Sequence, residues 1–435
     1  MAVTVNEGRT GASVIVEPSP PRVRVLGNRE FRGLTLAQFT SECGDQIAAI
    51  AISLLVYGRS NSPLLAAATY AVTYVPWVVG SMLLSPLTDR YPRRLAMLVC
   101  DACRAVVIGI LALMSTIHSA PIGLLIALVL VSSFFSPPFA SARGATLPDL
   151  FETGPPYVRA VAISRIMQQV DQVFGFALGG LVVAAVSPQG ALGIDAVSFV
   201  LSFVLLATHL RERPVADARP LRPMAMLRQV GPDLAIVWKH PVRRTLLGFT
   251  AASLLFLIAP DGLAVVYSRQ HGHGAVAAGI LAASQPCGIA LGAWLFIKFV
   301  PTRSQSRYLL PLGTLGAAIL ALTALVPPVW LTCLLWMASG MCQCFVVATI
   351  AAYNVVTERS IRGRANGLAA ASIAVTQGLG FVLWGTVADF GGAAAGVAFA
   401  GIAGLVVIAV ARYLWPYDVI DDAWARLAGA QERRA

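Results

Sequence analysis

The sequence predicts an all-α integral membrane protein with twelve transmembrane helices in two pseudo-symmetric six-helix bundles. Three observations lead to this prediction. Of the 435 residues, 57% are hydrophobic and only 12% are charged, whereas soluble domains carry roughly 25% charged residues. The apolar residues fall into long blocks, and most of the connections between them are short. One connection, at about 211–243, is long and basic, and it leaves six apolar blocks on either side.

Twelve apolar blocks are long enough to cross a bilayer, because a spanning helix needs about 20 apolar residues. They cover residues 34–57, 63–87, 95–117, 121–141, 159–186, 190–210, 244–268, 275–299, 308–326, 329–355, 365–389 and 393–415. Two six-helix halves joined by a long basic loop are typical of secondary transporters, which bind substrate near the bilayer midplane between the halves.

The predicted organisation follows from these blocks. It comprises a disordered cytoplasmic arm over 1–32, a first bundle over 33–210, an inter-bundle loop over 211–243 with a surface helix near Met224–Trp238, a second bundle over 244–415 and a cytoplasmic tail over 416–435. Orientation follows from the basic residues, because loops rich in Lys and Arg stay in the cytoplasm. Of the 32 lysines and arginines, only Arg59 and Arg269 face outward if both termini are cytoplasmic.

Several functional classes are disfavoured. The net charge of +11 comes from short clusters between apolar blocks, which differs from the basic, aromatic-interleaved stripe of a nucleic-acid-binding protein. The Cys100-x-x-Cys103 pair has no second pair at ligand spacing, so the seven cysteines are interpreted as apolar packing. No metal-ligand cluster, catalytic triad or phosphate-binding loop is visible. We therefore expect neither an enzyme nor a metal or cofactor site, and we expect a proton gradient as the energy source.

Four carboxylates fall deep within the predicted spans. Glu42 and Asp45 lie in the stretch AQFTSECGDQIAAIAISLLVY, Asp171 lies in the fifth span and Asp261 in the seventh. A charge at the bilayer centre costs roughly 3 kcal/mol, so such residues are functional candidates by default. Because a carboxylic acid away from water favours its neutral form, these residues are the candidate sites for proton coupling and for a cationic substrate.

Other interpretations of these acids remain open. Asp171 could be satisfied structurally by Gln168, Gln169 or Gln172, and Asp195 and Asp389 are expected to cap helices or to be solvated near the outer interface. The nearest arginines, which are Arg104, Arg143 and Arg165, are expected toward the cytoplasmic ends of their spans. The sequence thus predicts an acidic cavity without an internal counter-ion.

Aromatic and amide side chains supply possible substrate contacts. Tyr70, Tyr74 and Trp77 recur at i, i+4 and i+7 and so form one stripe on the second span. Trp336, Gln343 and Gln377 are further candidates. Binding sites are mostly apolar with few polar groups, although such a stripe is more often packing or lipid contact.

The loop after the second span carries an ordered acid-basic pattern, SPLTDRYPRR, from Ser85 to Arg94. It resembles the Gly-x-Leu-Ala-Asp-Arg-x-Gly-Arg-Arg signature of the major facilitator superfamily. Ser85 and Pro92 replace the two glycines. The resemblance implies a conformational latch that holds the outward-facing state, in which the acid caps the start of the eleventh helix and the arginines tie the cytoplasmic helix ends together. The residues that match these roles are Asp89, Arg90, Arg93 and Arg94.

Further stretches narrow the resemblance, which covers about residues 33–415. They are DACRA, FASARGATLPDL, GFALGGL, DAVSF, WKHPVRR and RGRANG, in that order. Together they are similar to the twelve-helix drug:proton antiporters of the macrolide-efflux and enterobactin-exporter type. The family signature in the fifth helix reads Gly-Pro-x-x-Gly-Gly, whereas this chain has Gly175 and Phe176 before Gly179 and Gly180. The proline-dependent kink is therefore absent.

The resemblance implies a monomeric carrier of the bacterial inner membrane that exports a small amphiphilic compound, cationic or neutral, by proton antiport through alternating access. Its partners are the substrate and the lipid bilayer, with no nucleic acid. Three alternatives remain, because fold does not fix function. They are a proton-coupled or facilitative uptake carrier on the same fold, a lipid flippase, and a transport-inactive sensor or assembly partner.

Overall fold

The computed structural model describes residues 25–83, 91–151, 154–213, 235, 237–301, 304–358, 361–413, 415–417, 420 and 424. Across these ranges the chain is helical and has no strand. The α-helices are α1 Arg29–Ser60, α2 Pro63–Leu83, α3 Arg93–Thr116, α4 Ile122–Ser133, α5 Ser136–Leu150, α6 Pro155–His209, α7 Pro241–Leu257, α8 Ala259–Gln270, α9 Ala275–Phe299, α10 Gln305–Ala321, α11 Val329–Cys342, α12 Cys344–Val356 and α13 Arg362–Tyr413. Most of the predicted surface helix and most of both predicted terminal segments lie outside the described residues.

The first helix shows how local sequence sets these boundaries. The Asn28 side chain caps α1 by accepting hydrogen bonds from the backbone N–H groups of Glu30 and Phe31, at 2.9 and 3.2 Å. Asn is a preferred residue at this position. The helix ends at Asn61, which adopts the left-handed conformation with φ 52°, and α2 begins two residues later at Pro63. This helical hairpin turns within two residues.

The two longest helices each contain one break. In α6 the backbone leaves helical geometry at Ser187, where φ is 74°, immediately before Pro188. In α13 it does so at Gly392, where φ is 81°, a conformation that glycine tolerates best. Both breaks lie where the sequence predicts a boundary between two spans. By length and composition, nine helical stretches in the described ranges are suited to crossing a membrane, with α6 and α13 counted once each.

Many large apolar side chains face outward. Val106 and Leu113 of α3, Val197 of α6 and Ile297 of α9 are all more than 60% exposed. The interior is also apolar, with Trp336 and other large side chains fully buried. A helix that is apolar all round is typical of a membrane span, so these outward side chains form a surface suited to lipid.

Close helix contacts tie the structure together across its length. α1 packs along α6, α2 packs against α13, and α9 packs against both α11 and α6. At the α6–α9 crossing, a Cβ on Gly180 would lie only 2.9 Å from the Gly279 Cα and 2.6 Å from the Ala275 carbonyl oxygen. Small residues that allow such backbone approach are typical of helix packing in membranes.

The helices meet at two ends of the molecule. At the first end, called the basic end, Arg213 pairs with Glu30 at 2.8 Å and Arg93 pairs with Asp149. At the opposite end, Arg59 donates to the Ser115 carbonyl oxygen at 2.6 Å. There the Asp389 carboxylate of α13 accepts hydrogen bonds from the Leu64 N–H at 2.8 Å and from the Ser62 hydroxyl at 3.0 Å.

Candidate functional site

A cavity of about 420 Å³ lies among the helices, within the size range of small-molecule sites. Residues of α1 to α6 supply nearly all of its lining, and the later helices contribute Asp261 from α8 and Phe381 from α13. Four carboxylates reach it, namely Glu42, Asp45, Asp195 and Asp261. The sequence therefore identified three of the four acids that line this cavity.

Asp45 is paired with an arginine. The Arg104 guanidinium of α3 donates to both Asp45 carboxylate oxygens, at 2.5 and 2.8 Å, and lies 4.1 Å from the centre of the Phe199 ring. The expectation of a cavity without an internal counter-ion is therefore wrong. Arg104 lies at the middle of α3, not toward its end, just as Asp45 lies at the middle of α1. The two side chains meet because the helices cross at that depth.

Two further acids surround Arg104. Asp101 accepts a hydrogen bond from the Ser202 hydroxyl at 2.6 Å, and Asp195 accepts one from Ser198 at 3.2 Å. Asp101 lies one turn before Arg104 in α3, Asp195 approaches Gly44 beside Asp45, and both acids are fully buried. We call Asp45, Asp101, Asp195 and Arg104 the Arg104 cluster. Three acids around one arginine leave an excess of carboxylates, which suits the cluster to holding protons.

The expectation that Asp195 caps a helix or is solvated near the outer interface is wrong. The break at Ser187 places Asp195 two turns inside the second segment of α6, facing α1. Its approach depends on Gly44, where a Cβ would lie 2.4 Å from the Asp195 Oδ1. Asp389, by contrast, does cap α2 at the opposite end, as expected.

Glu42 forms a second ion pair. The Arg143 guanidinium of α5 donates to the Glu42 Oε1 at 2.6 Å, so this acid also has a counter-ion. Asp171, which is 1% exposed, packs against the same stretch of α1, where the Cys43 thiol lies 3.5 Å from its carbonyl oxygen. Its Oδ2 accepts from the Gln38 amide at 3.2 Å, so the glutamine that binds it comes from α1 and is none of the three expected on α6.

The aromatic stripe and Asp261 lie in another part of the lining. Tyr70, Tyr74 and Trp77 all line the cavity, as does the Phe381 ring, which stacks on Tyr70 with centroids 5.4 Å apart. Asp261 lies in the first turn of α8. Its Oδ1 is buried without a hydrogen-bond partner among the described residues.

The structure does not bring every candidate to the cavity. The candidates absent from the described lining are Asp171, Trp336, Gln343 and Gln377. Trp336 is fully buried and donates to the Thr323 hydroxyl at 3.3 Å, and Gln343 is buried at the joint between α11 and α12. Their predicted substrate contacts stay predictions that this geometry does not support.

The latch motif is described only in part, since Asp89 and Arg90 lie outside the described residues. Arg93 contacts Asp149 and the Ala145 carbonyl oxygen of α5. Arg94 donates to the Ala207 carbonyl oxygen of α6 at 2.7 Å. These two arginines thus tie the start of α3 to neighbouring helices at the basic end. Within the described ranges, no three His, Cys, Asp or Glu residues converge as a metal site would require.

The fold and the cavity agree with comparisons to known proteins. The model of the transmembrane secretion effector family matches residues 23–426. The chain belongs to this family, within the major facilitator superfamily. It is 25% identical over 371 residues to the multidrug efflux pump Tap of Mycolicibacterium fortuitum, covering 82% of this chain and 89% of that pump. It is equally identical over 372 residues to Tap of Mycobacterium tuberculosis, covering 82% and 87%.

The fold of this chain is also similar to the folds of solved transporter structures. A POT family transporter in complex with 5-aminolevulinic acid superposes with a TM-score of 0.70 at 12% identity, covering 90% of this chain and 96% of that one. Family membership confirms the predicted superfamily. This member of the transmembrane secretion effector family is therefore a multi-pass membrane transporter, and its relatives indicate transport, not catalysis.

Proposed function

We propose that this transporter exports a small amphiphilic compound, cationic or neutral, by proton antiport. The observation that carries the proposal is the Asp45–Arg104 ion pair in the wall of a cavity large enough for such a compound. Relatives named multidrug efflux pumps, matched over most of their length, support export as the direction. The energy source is the proton gradient, and no cofactor takes part.

The proposed architecture is twelve crossings in two bundles, over 33–210 and 244–415, with both termini in the cytoplasm of a bacterial cell and the protein in the inner membrane as a monomer. The breaks at Ser187 and Gly392 support this count, because each divides a helix of more than 50 residues into two segments of spanning length. The distribution of basic residues supports the orientation. On this topology the basic end faces the cytoplasm.

The proposed coupling step is a proton exchange at Asp45. Its side chain is 37% exposed, whereas that of Arg104 is 6% exposed, so a proton arriving through the cavity reaches the carboxylate first. Protonation removes the charge that holds Arg104, and Asp101 and Asp195 then take over as its counter-charges. Glu42 and Asp171, beside Arg143, form a second proton-holding pair. In the proposed cycle Asp89, Arg90, Arg93 and Arg94 latch the outward-facing state.

Everted membrane vesicles test this function. With a preset proton gradient, addition of a transported compound should release protons, and a panel of cationic, zwitterionic and neutral antibiotics supplies candidates. Asp45→Asn should reduce this release at least tenfold while leaving the protein folded, because the amide cannot carry a proton. Glu358→Gln is the matched control, since that carboxylate is exposed just after α12 and belongs to neither the cavity nor the latch. Full proton release by Asp45→Asn would contradict the assignment.

Uptake on the same fold is the second candidate, and one observation favours it. Phe176 stands where the efflux signature has proline, and its side chain lines the cavity, so the kink associated with antiport is missing. The direction of accumulation separates the two functions. Whole cells that express the transporter should contain less of the compound than cells without it if the protein exports, and more if it imports.

A further inference from the structure

The carboxylates of the cavity differ in their counter-charges. Asp45 binds Arg104 and Glu42 binds Arg143, while Asp195 accepts from Ser198 and lies in the field of Arg104. In the parts of the chain that the structure describes, Asp261 has neither a hydrogen bond nor an ion pair. An uncompensated carboxylate away from water is costly. A positively charged ligand would remove that cost.

Three aromatic rings line the same cavity as Asp261. The Tyr70 and Tyr74 rings lie 5.4 and 5.7 Å from the Phe381 ring, and Asp261 belongs to the same cavity lining. Gly262 brings Phe381 this close, because a Cβ at that position would lie 2.4 Å from the ring. Aromatic faces attract cations, most strongly where water is excluded.

Two polar atoms in this part of the cavity wall have no hydrogen-bond partner in the described residues. The rings do join α2 to α13, but the Tyr70 hydroxyl and the Asp261 Oδ1 are both buried without a partner in the described residues. Buried polar groups in a purely structural contact are normally hydrogen-bonded. In a ligand-binding site, such polar groups can remain without a partner until the ligand binds.

We propose that Asp261, Tyr70, Tyr74 and Phe381 form a subsite for the cationic group of an amphiphilic organic substrate, such as a quaternary ammonium or phosphonium centre. The rings offer π faces and the carboxylate offers charge, whereas a metal ion needs several oxygen ligands that this wall does not supply. The subsite rests on the proposed function in that its ligand is the transported compound. It assigns cation recognition to Asp261 and leaves proton exchange to the Arg104 cluster.

Equilibrium binding to the purified full-length protein in lipid nanodiscs tests the subsite. The probes are tetraphenylphosphonium, a permanent cation, and triphenylphosphine oxide, a neutral compound with three of the same rings. Asp261→Asn should weaken tetraphenylphosphonium binding at least tenfold and change oxide binding by less than twofold. Phe381→Leu should lower the ratio of the two affinities about fivefold, as expected from the loss of one cation–π contact. Glu358→Gln, which removes an exposed carboxylate outside the cavity, should change neither affinity.

Each remaining outcome overturns the subsite. These outcomes are unchanged tetraphenylphosphonium binding by Asp261→Asn, an equal loss of both probes, and no saturable tetraphenylphosphonium binding by the unaltered protein. If Asp261→Asn does not fold, an unchanged affinity ratio in Phe381→Leu overturns it instead. The two proposals can be told apart. Selective cation binding without substrate-dependent proton release from the vesicles would rule out proton antiport and leave the subsite intact.

Discussion

At the scale of single residues, Arg104 determines the charge balance of the cavity. Its guanidinium is bonded to Asp45, stacks on Phe199 and lies in the field of Asp101 and Asp195. Removing one partner of a buried ion pair usually costs 3–5 kcal/mol, because the other charge is left unpaired. The cost here is smaller, since Asp45 is partly exposed to the cavity.

Arg104→Gln should therefore lower the free energy of unfolding by about 2 kcal/mol, below the range for fully buried pairs. The double variant Asp45→Asn with Arg104→Gln should recover part of this loss, because it also removes the Asp45 charge that the single variant leaves unpaired. Denaturation in mixed detergent–lipid micelles measures both values. Arg269→Gln is the control, as that side chain is exposed and charged without belonging to the cluster. Additive losses in the double variant would contradict the pairing.

The sequence predicted the acids of the site better than their partners. A carboxylate within an apolar stretch is easy to recognise in the sequence alone, so Glu42, Asp45 and Asp261 could be found by inspection. Arg104 lies midway along α3 only one turn after Asp101, and this spacing was the available signal. The pairing itself could not be predicted, because it depends on how α1 and α3 cross.

At the scale of elements, helix boundaries were largely predictable and helix crossings were not. Runs of apolar residues and turn-forming residues located the breaks at Ser187 and Gly392 to within a few residues. The GFALGGL stretch indicated close packing without naming its partners. Which helix meets Gly180 depends on tertiary contacts that a single sequence does not contain.

The packing at the α6–α9 crossing predicts whether a glycine-to-alanine substitution raises or lowers the free energy of unfolding. Gly180→Ala should lower the free energy of unfolding by about 1–3 kcal/mol, the range for overpacking, because its Cβ would press on the Gly279 backbone. Gly109→Ala in α3 should instead raise it by about 0.5–1 kcal/mol, since alanine favours helix and no atom lies within 4 Å. The same micelle denaturation compares the two variants. A loss of equal size in both would show that the crossing is not tightly packed.

At the scale of the whole molecule, hydropathy predicted an all-helical membrane protein, which family membership confirms. Hydropathy could not predict how unequally the helices contribute to the lining of the cavity. Nearly all of the described lining comes from α1 to α6, with Asp261 and Phe381 as the contributions of the later helices. Trp336 and Gln343 were reasonable candidates by composition, yet both are buried away from the cavity lining, with the Trp336 ring packed against Tyr267 of α8.

The contact at the opposite end has a consequence for transport. There Asp389 of α13 caps α2 through Ser62 and Leu64, and the carboxylate is stabilised by the positive end of the α2 dipole. Alternating access requires each end of a carrier to open in turn while the site stays fixed. In the proposed cycle, the hydrogen bonds of Asp389 must therefore break when the opposite end opens.

A reversible cross-link tests this requirement. In the variant Ser62→Cys with Asp389→Cys, oxidation should form a disulfide, because the two side chains are in hydrogen-bonding contact and a disulfide spans Cα distances of about 4.4–6.8 Å. Transport by the oxidised protein should fall at least tenfold and return after reduction, with the reduced double variant as the reference rate. Ser62→Cys alone, treated with the same oxidant, controls for the seven native cysteines, all of which are free. Unchanged transport after complete cross-linking would show that the opposite end stays closed throughout the cycle.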